Sequence, residues 1–236
     1  MAKPINNNQP ALNTGLAIAL GEYRDTSALN RFGFIPTVGT AYETVWENGG
    51  TYAYPSSAVA MTATSASGAS DEDVEVTITG LDANWETQSE TITLNASGTA
   101  TTTATFIRIN EARVTNGQSP VGKISITYDG TTYAAIDVSF GKSLSSVYTV
   151  PVGYTAYVVS GALSIAKQKE VIAKLMVRLF GGIFIAEGII GTSGAPYHKD
   201  WVVPIKLPAK TDIEIRAKAG ATTEIATVFE IILVEN

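Results

Sequence analysis

The stretch that decides the fold runs from residue 73 to residue 94 and reads DVEVTIT (73–79), GLDANWETQS (80–89), ETITL (90–94). In the first run Val74, Val76 and Ile78 alternate with Asp73, Glu75, Thr77 and Thr79, and in the second Ile92 and Leu94 alternate with Thr91 and Thr93. A period of two puts the apolar set on one face of a strand and the polar set on the other, so the pair predicts an antiparallel hairpin with one wet face.

Outward from this hairpin the same phrasing continues. Runs rich in Thr, Val, Ile and Tyr predict strands at 104–114, 123–128, 133–138, 146–150, 155–166, 171–179, 183–190, 201–207, 211–217 and 226–234. Asp129-Gly130 between two of them is a two-residue hairpin signal. The segment 170–180 also carries helical spacing at Val171, Leu175 and Arg178. The strand reading is preferred because it gathers Val171, Ala173, Leu175, Val177 and Leu179 on one unbroken apolar face. The fold class is all-β: one elaborated jelly roll or two packed antiparallel β-sandwiches, divided as 51–145 and 146–236.

Residues 1–50 read differently. Asn6 to Asn8, Pro10, Gly33, Pro36, Gly39, Gly49 and Gly50 break every period, while Tyr23, Phe32, Phe34, Tyr42 and Trp46 are of no use to a solvated linker. The expectation is an extended N-terminal arm that lies on another surface, with Leu16, Ile18, Leu20, Tyr23, Arg24, Phe32 and Phe34 as its partner-binding residues.

Composition closes several classes. The 236 residues are 45% hydrophobic and 16% charged, the reverse of a disordered chain. Sixteen basic against 22 acidic residues give a net charge of -6, which repels phosphate backbones, so no nucleic-acid partner is expected. The absence of cysteine removes disulfides, thiolate zinc sites and a thiol nucleophile. A polar start argues against a secretory signal. Lys174, Arg178 and Glu187 interrupt the most apolar stretch, so no membrane partner is expected either.

Candidate chemistry is thin. His198, the one histidine, lies near Ser193 and Asp200, the residue types of a hydrolytic triad. All three fall in one short stretch without a nucleophile elbow, which reads as a polar surface loop. Asp71, Glu72 and Asp73 could hold a hard cation but lack EF-hand spacing and read as a solvated turn. Asp82 and Glu86 could form a glycosidase-type carboxylate pair, with nothing to fix them across a cleft. Asn95-Ala96-Ser97 is a glycosylation sequon, and Gly49-Gly50 and Gly181-Gly182 are turns without the lysine of a phosphate loop. Trp85, Tyr197 and Trp201 are the candidate exposed binding loops, for sugar or a partner protein. The expectation is a non-enzymatic chain with no cofactor and no metal.

Four strings carry a family resemblance: RFGFIPTVGTAYETVWENGGTYAYPSSA (31–58), EVTITGLDANWETQSETITLN (75–95), SVYTVPVGYTAYVVSGALSI (146–165) and VPIKLPAKTDIEIRAKA (203–219). From about Arg31 to Asn236 the chain resembles virion structural proteins of tailed bacteriophages, notably marine and cyanobacterial ones. The resemblance implies a β-rich building block on the virion, assembled in the host cytoplasm and exposed on the particle. It implies a homo-oligomer, a trimer, partnered by the major capsid protein or other virion proteins. The implied role is capsid decoration, cement or head fibre, with a tail or baseplate component as the alternative. A reading of another class is a carbohydrate-binding module that touches a host-surface glycan through Trp85 and Trp201.

Overall fold

The computed structural model describes residues 14–166 and 169–236. A short helix, α1 (Thr14–Ala19), leads into β1 (Thr26–Val38), β2 (Glu43–Thr44) and β3 (Val59–Ser65), and a 3-10 turn at Gly68–Asp71 follows. Then come β4 (Glu75–Leu81), β5 (Thr87–Thr93), β6 (Thr99–Phe106), β7 (Arg108–Val114), β8 (Ile124–Tyr128), β9 (Thr131–Ile136) and β10 (Val147–Thr149). The chain ends with β11 (Tyr154–Ile165), β12 (Glu170–Arg178), β13 (Ile185–Ser193), β14 (Tyr197–Leu207), β15 (Asp212–Ala219) and β16 (Thr223–Glu235).

The predicted hairpin is β4 and β5, with Val76 opposite Ile92, and Val74, Val76, Ile78, Ile92 and Leu94 are all buried. Asp129 and Gly130 both take positive φ, 47° and 73°, as a type I′ turn between β8 and β9 requires. Residues 170–178 form a strand, not a helix: Val171, Ala173, Leu175 and Val177 face the core, while Leu179 lies beyond the strand and is exposed. The expected single strand at 104–114 is broken at Ile107. Phe106 ends a strand of one sheet and Arg108 begins a strand of the sheet facing it, so the chain changes layer there.

Among the described residues, four sheets make two sandwiches. Sheets β6-β3-β8-β9 and β5-β4-β7 enclose one core around Met61, Val76, Ile78, Phe106, Ile124 and Ile126. Sheets β1-β16-β11-β14 and β10-β15-β12-β13 enclose the other, around Ile35, Val158, Val171, Ile213, Ile225 and Phe229.

The second sandwich has a specific connectivity. β2 pairs with Arg216 and Ala217 of β15, β10 pairs with Asp212 to Glu214 of the same strand, and between them the Val45 amide donates to the Ile215 carbonyl. β2 and β10 are therefore collinear halves of one strand. With that strand counted once, eight strands in chain order lie first-eighth-third-sixth in one sheet and second-seventh-fourth-fifth in the other. This is the double Greek key of a jelly roll. The first sandwich is inserted within the jelly roll's second strand. Its entry and exit are adjacent, since the Ser146 amide donates to the Val45 carbonyl at 3.0 Å.

Here the structure corrects the reading of residues 1–50 as one extended arm. β1 is a 13-residue strand paired with β16 from Thr26↔Val234 to Val38↔Thr223, and Ile35, Val38, Val45 and Trp46 are core residues. Propensity hid it: Gly33 and Pro36 are poor strand residues, but β1 is an edge strand that tolerates them. Gly33 is required by packing. A Cβ there would lie 2.6 Å from the Val45 carbonyl oxygen and 1.8 Å from Ser146 Oγ, where the insertion leaves and returns.

Candidate interaction surfaces

The densest polar constellation lies between the two sandwiches. Asp212, at the start of β15, is buried. Its carboxylate accepts from Arg108 Nε at 2.7 Å and Nη2 at 3.1 Å, from Arg178 Nη2 at 2.6 Å, and from Thr149 Oγ1 at 2.6 Å. Arg108 belongs to the inserted sandwich; the other three belong to the jelly roll. Arg108 also donates to the carbonyls of Pro55 and Ile107, so the pair is fully hydrogen-bonded, the condition under which a buried ion pair is tolerated.

Aromatic rings surround it. The guanidinium of Arg108 lies 4.7 Å from the Trp85 ring and 5.0 Å from the Tyr54 ring, and that of Arg178 lies 4.4 Å from Tyr54 and 4.5 Å from Phe184. Trp46, Tyr52, Tyr54 and Phe184 follow one another at centroid spacings of 5.0, 4.9 and 5.6 Å. Glu214 is buried beside them; burial raises its pKa, and its bonds from Arg216, Thr44 and Tyr54 oppose the rise. Chemically the cluster is saturated by its own partners and acts as a clamp between sandwiches. No local motif in the sequence marks it, because Arg108 and Asp212 are 104 residues apart.

Trp85 is part of this clamp. It is 8% exposed, stacks edge-on against Phe180 at 5.4 Å, and its carbonyl accepts from the Val152 amide. The reading of Trp85 as an exposed binding loop is thus corrected: the ring closes the junction. Tyr197 and Trp201, both half-buried on β14, line a cleft between β13 and β14.

The other sequence candidates resolve into local structure. His198 Nε2 lies 3.0 Å from Asp200 Oδ1, two residues apart on the exposed face of β14, whereas Ser193 ends β13 in the facing sheet, opposite Glu170. Asp71 is not in a solvated turn. It is buried and accepts from Ser65 Oγ, from the Val121 amide at 2.6 Å and from the Gly122 amide at 2.9 Å. Burial raises its pKa, and these three bonds outweigh that effect, leaving it lowered. Asp82 Oδ1 accepts from the amides of Asn84 and Glu86, which ties the carboxylate into its own turn. Asn95 Oδ1 likewise caps the β5–β6 turn through the amides of Ser97 and Thr99. Among the described residues, no group of three or more His, Asp or Glu side chains is placed to hold a metal ion.

Of the residues assigned to the arm, Leu16, Leu20, Tyr23 and Arg24 are exposed, while Ile18 is buried on α1, which lies against β1. Phe32 and Phe34 sit within β1: Phe32 is exposed beneath Lys142, and Phe34 packs edge-on against Phe140 at 5.4 Å. Residues 1–13, where the arm would begin, lie outside the described residues.

Sequence reasoning missed Glu47. It is buried, its Oε1 has no hydrogen-bond partner among the described residues, and burial pushes its pKa up to about 7 against the amides of Leu144 and Asp137 and the charge of Lys123.

No protein-family profile and no curated protein sequence matches the chain. Among solved structures it is similar to infectious bursal disease virus, Gt strain, at 9% identity over 90% of this chain and 73% of that one, with a TM-score of 0.24. The VP2 subviral particle of the same virus gives 9% identity, the same coverage and a TM-score of 0.23. Scores of this size show no shared fold in detail and decide nothing about function; the jelly roll stands on the strand order above.

Proposed function

We propose that this chain is a non-enzymatic virion structural protein of bacteriophage type, a capsid decoration or head-fibre-like subunit whose N-terminal segment attaches it to the particle. The observation that carries the reading is the jelly-roll strand order with a whole sandwich inserted in its second strand and clamped by Arg108–Asp212. Jelly rolls serve in viral capsids and in lectins. The lectin use is disfavoured, because Trp85 is buried in the junction and Trp201 lies against Gly161. The phage resemblance of the four strings points the same way.

The attachment segment ends at Asp25. The Asp25 carbonyl accepts from the Glu235 amide at 2.8 Å, so everything after it belongs to the sandwich. Leu16, Leu20 and Tyr23 are its exposed apolar contacts and Arg24 its charge. The test is reconstitution: delete residues 1–24, keep β1 whole, and measure occupancy on particles lacking the protein. Loss of incorporation with an unchanged melting transition is expected; undiminished incorporation overturns the attachment role.

A further inference from the structure

The jelly roll has two sides. On one, the edge strands β1 and β10 are covered by the chain itself: the Phe34 amide donates to the Leu144 carbonyl, and Asn110 bonds both the amide and the carbonyl of Thr149. On the other, β13 and β14 are the edges of the two facing sheets, and no strand of the described residues pairs with their outer sides.

β14 handles its bare edge in an unusual way. Between Ser160↔Asp200 and Val158↔Ile205, two steps along β11 face five along β14, so residues 201–204 bulge out of the ladder. Bulges and prolines on edge strands block strand addition, and natural proteins commonly place charge there. This bulge carries Pro204 but presents Val202 and Val203 to water, 99% and 80% exposed. Beside it the sheets part into a cleft of about 130 Å³. Apolar Leu163, Ala173, Leu175 and Phe229 line its depth, and Gly188, Ile189 and Trp201 line its mouth.

We infer that this side binds a second copy of the chain, the Val202-Val203 knob of each subunit seating in the β13–β14 cleft of the next. The size fits: two valine side chains carry six carbon atoms, as benzene does, and an apolar cavity of about 150 Å³ takes up benzene. The area fits as well. Ile183 (80% exposed), Ile185, Ile189 (64%), Val202 and Val203 together present roughly 400 Å² of aliphatic surface at about 110 Å² per side chain. That is about the apolar share of the roughly 800 Å² each partner gives to a standard interface. Charge also permits it. The chain carries -6, yet on β13 and β14 exposed Lys199 and Lys206 balance exposed Glu187 and Asp200, so two copies meet along these strands without net repulsion. The inference is independent of the virion reading, since it concerns the purified chain alone.

Sedimentation of the full chain tests it. The wild type is expected at an integer multiple of 24.8 kDa. Val202→Asp with Val203→Asp, at positions whose exposure leaves the fold untouched, should weaken self-association about a hundredfold or more and give the monomer. Gly188→Leu fills the cleft from the opposite strand, where an added Cβ meets no atom within 4 Å, and should do the same. Mixing the knob variant with the cleft variant should restore part of the association, because one intact knob then meets one intact cleft. A wild type that stays monomeric at every concentration overturns the inference, as do variants that keep the wild-type mass with unchanged melting.

Discussion

If β2 and β10 are halves of one strand, the inserted sandwich can be cut out and the strand rejoined. The register names the joint: Glu43 faces Ala217, Thr44 faces Arg216, Val45 bonds Ile215 and Val147 faces Glu214. Joining Val45 to Val147 removes residues 46–146, 101 of the 236, and leaves 135. The alternation survives, because Val45 and Tyr148 belong to the jelly-roll core while Val147 faces the junction with Trp46 and Tyr52. Excision uncovers Val147, which packs with Trp46 and Tyr52, at about 1.5–3 kcal/mol. Asp212 loses Arg108 but keeps Arg178 and Thr149, so its carboxylate stays paired. The expected product is a folded jelly roll destabilised by about 1.5–3 kcal/mol, with one cooperative urea transition and β-type circular dichroism. The control is a joint one residue shorter, Val45 to Tyr148, which turns Tyr148 outward and Thr149 into the core and should not fold. Equal folding of the two joints would refute the claim that one continuous strand was interrupted; failure of the first with success of the second would refute the register.

Other outcomes follow from single sites. Arg108→Ala removes two charge-assisted hydrogen bonds across the junction while Arg178 and Thr149 keep Asp212 paired, and should cost about 1.5–3 kcal/mol, read as separation of one thermal transition into two. Gly33→Ala forces a Cβ onto the Val45 carbonyl and should abolish soluble expression or lower Tm sharply. Glu47 has a pKa raised from 4.5 to about 7, so its contribution to stability is complete below pH 4.5 and is lost as pH rises through 7. Glu47→Gln should therefore stabilise by up to about 3 kcal/mol at pH 8 and change little at pH 4.5, measured by denaturation at both pH values. Asp71 has the opposite sign: its lowered pKa gives stability present above 3.8 and lost on acidification. Asp71→Asn should cost about 2 kcal/mol at pH 7 and progressively less in acid.

How much of this could be read from the chain differs by element. The strands β4, β5, β8 and β12 declared themselves because one face is buried and the other wet, which writes a period of two into the sequence. β1 did not, because Phe32 and Phe34 put aromatics on the face opposite Ile35 and erase the alternation. The break at Ile107 was invisible for another reason. Thr, Ala, Phe, Arg and Ile suit either sheet, and only the ladder shows that the chain changes partners. The clamp was beyond local reading altogether, since Arg108, Arg178 and Asp212 share no spacing. Trp85 was legible as an aromatic in a turn, but whether the turn faced water or the other sandwich was a tertiary fact.

That the insertion sits in a strand and not in a loop bears on how the molecule can work. Domains within a chain move relative to one another unless the interface between them is large and specific. Here the two crossings run side by side, held by the Ser146–Val45 bond, and Gly33 of the edge strand is pressed against them. A hinge there would break the ladder of β15, which both halves of the strand complete. On the far side of the contact, Arg108 ties β7 to β15, and Trp85 fits between Arg108 of its own sandwich and two jelly-roll residues, Phe180 beyond β12 and Lys210 between β14 and β15. Two covalent links at one place and an ion-paired, ring-packed contact at another fix a rigid body. β1 starts and β16 ends at that same end of the jelly roll, where the Asn236 amide meets the Gly153 carbonyl and the Glu235 amide meets that of Asp25. A subunit held by residues 14–24 would be held next to the clamp. The turns at 39–42, 194–196 and 220–222, at the opposite end of the jelly roll, would then be the surface turned away from whatever the segment grips.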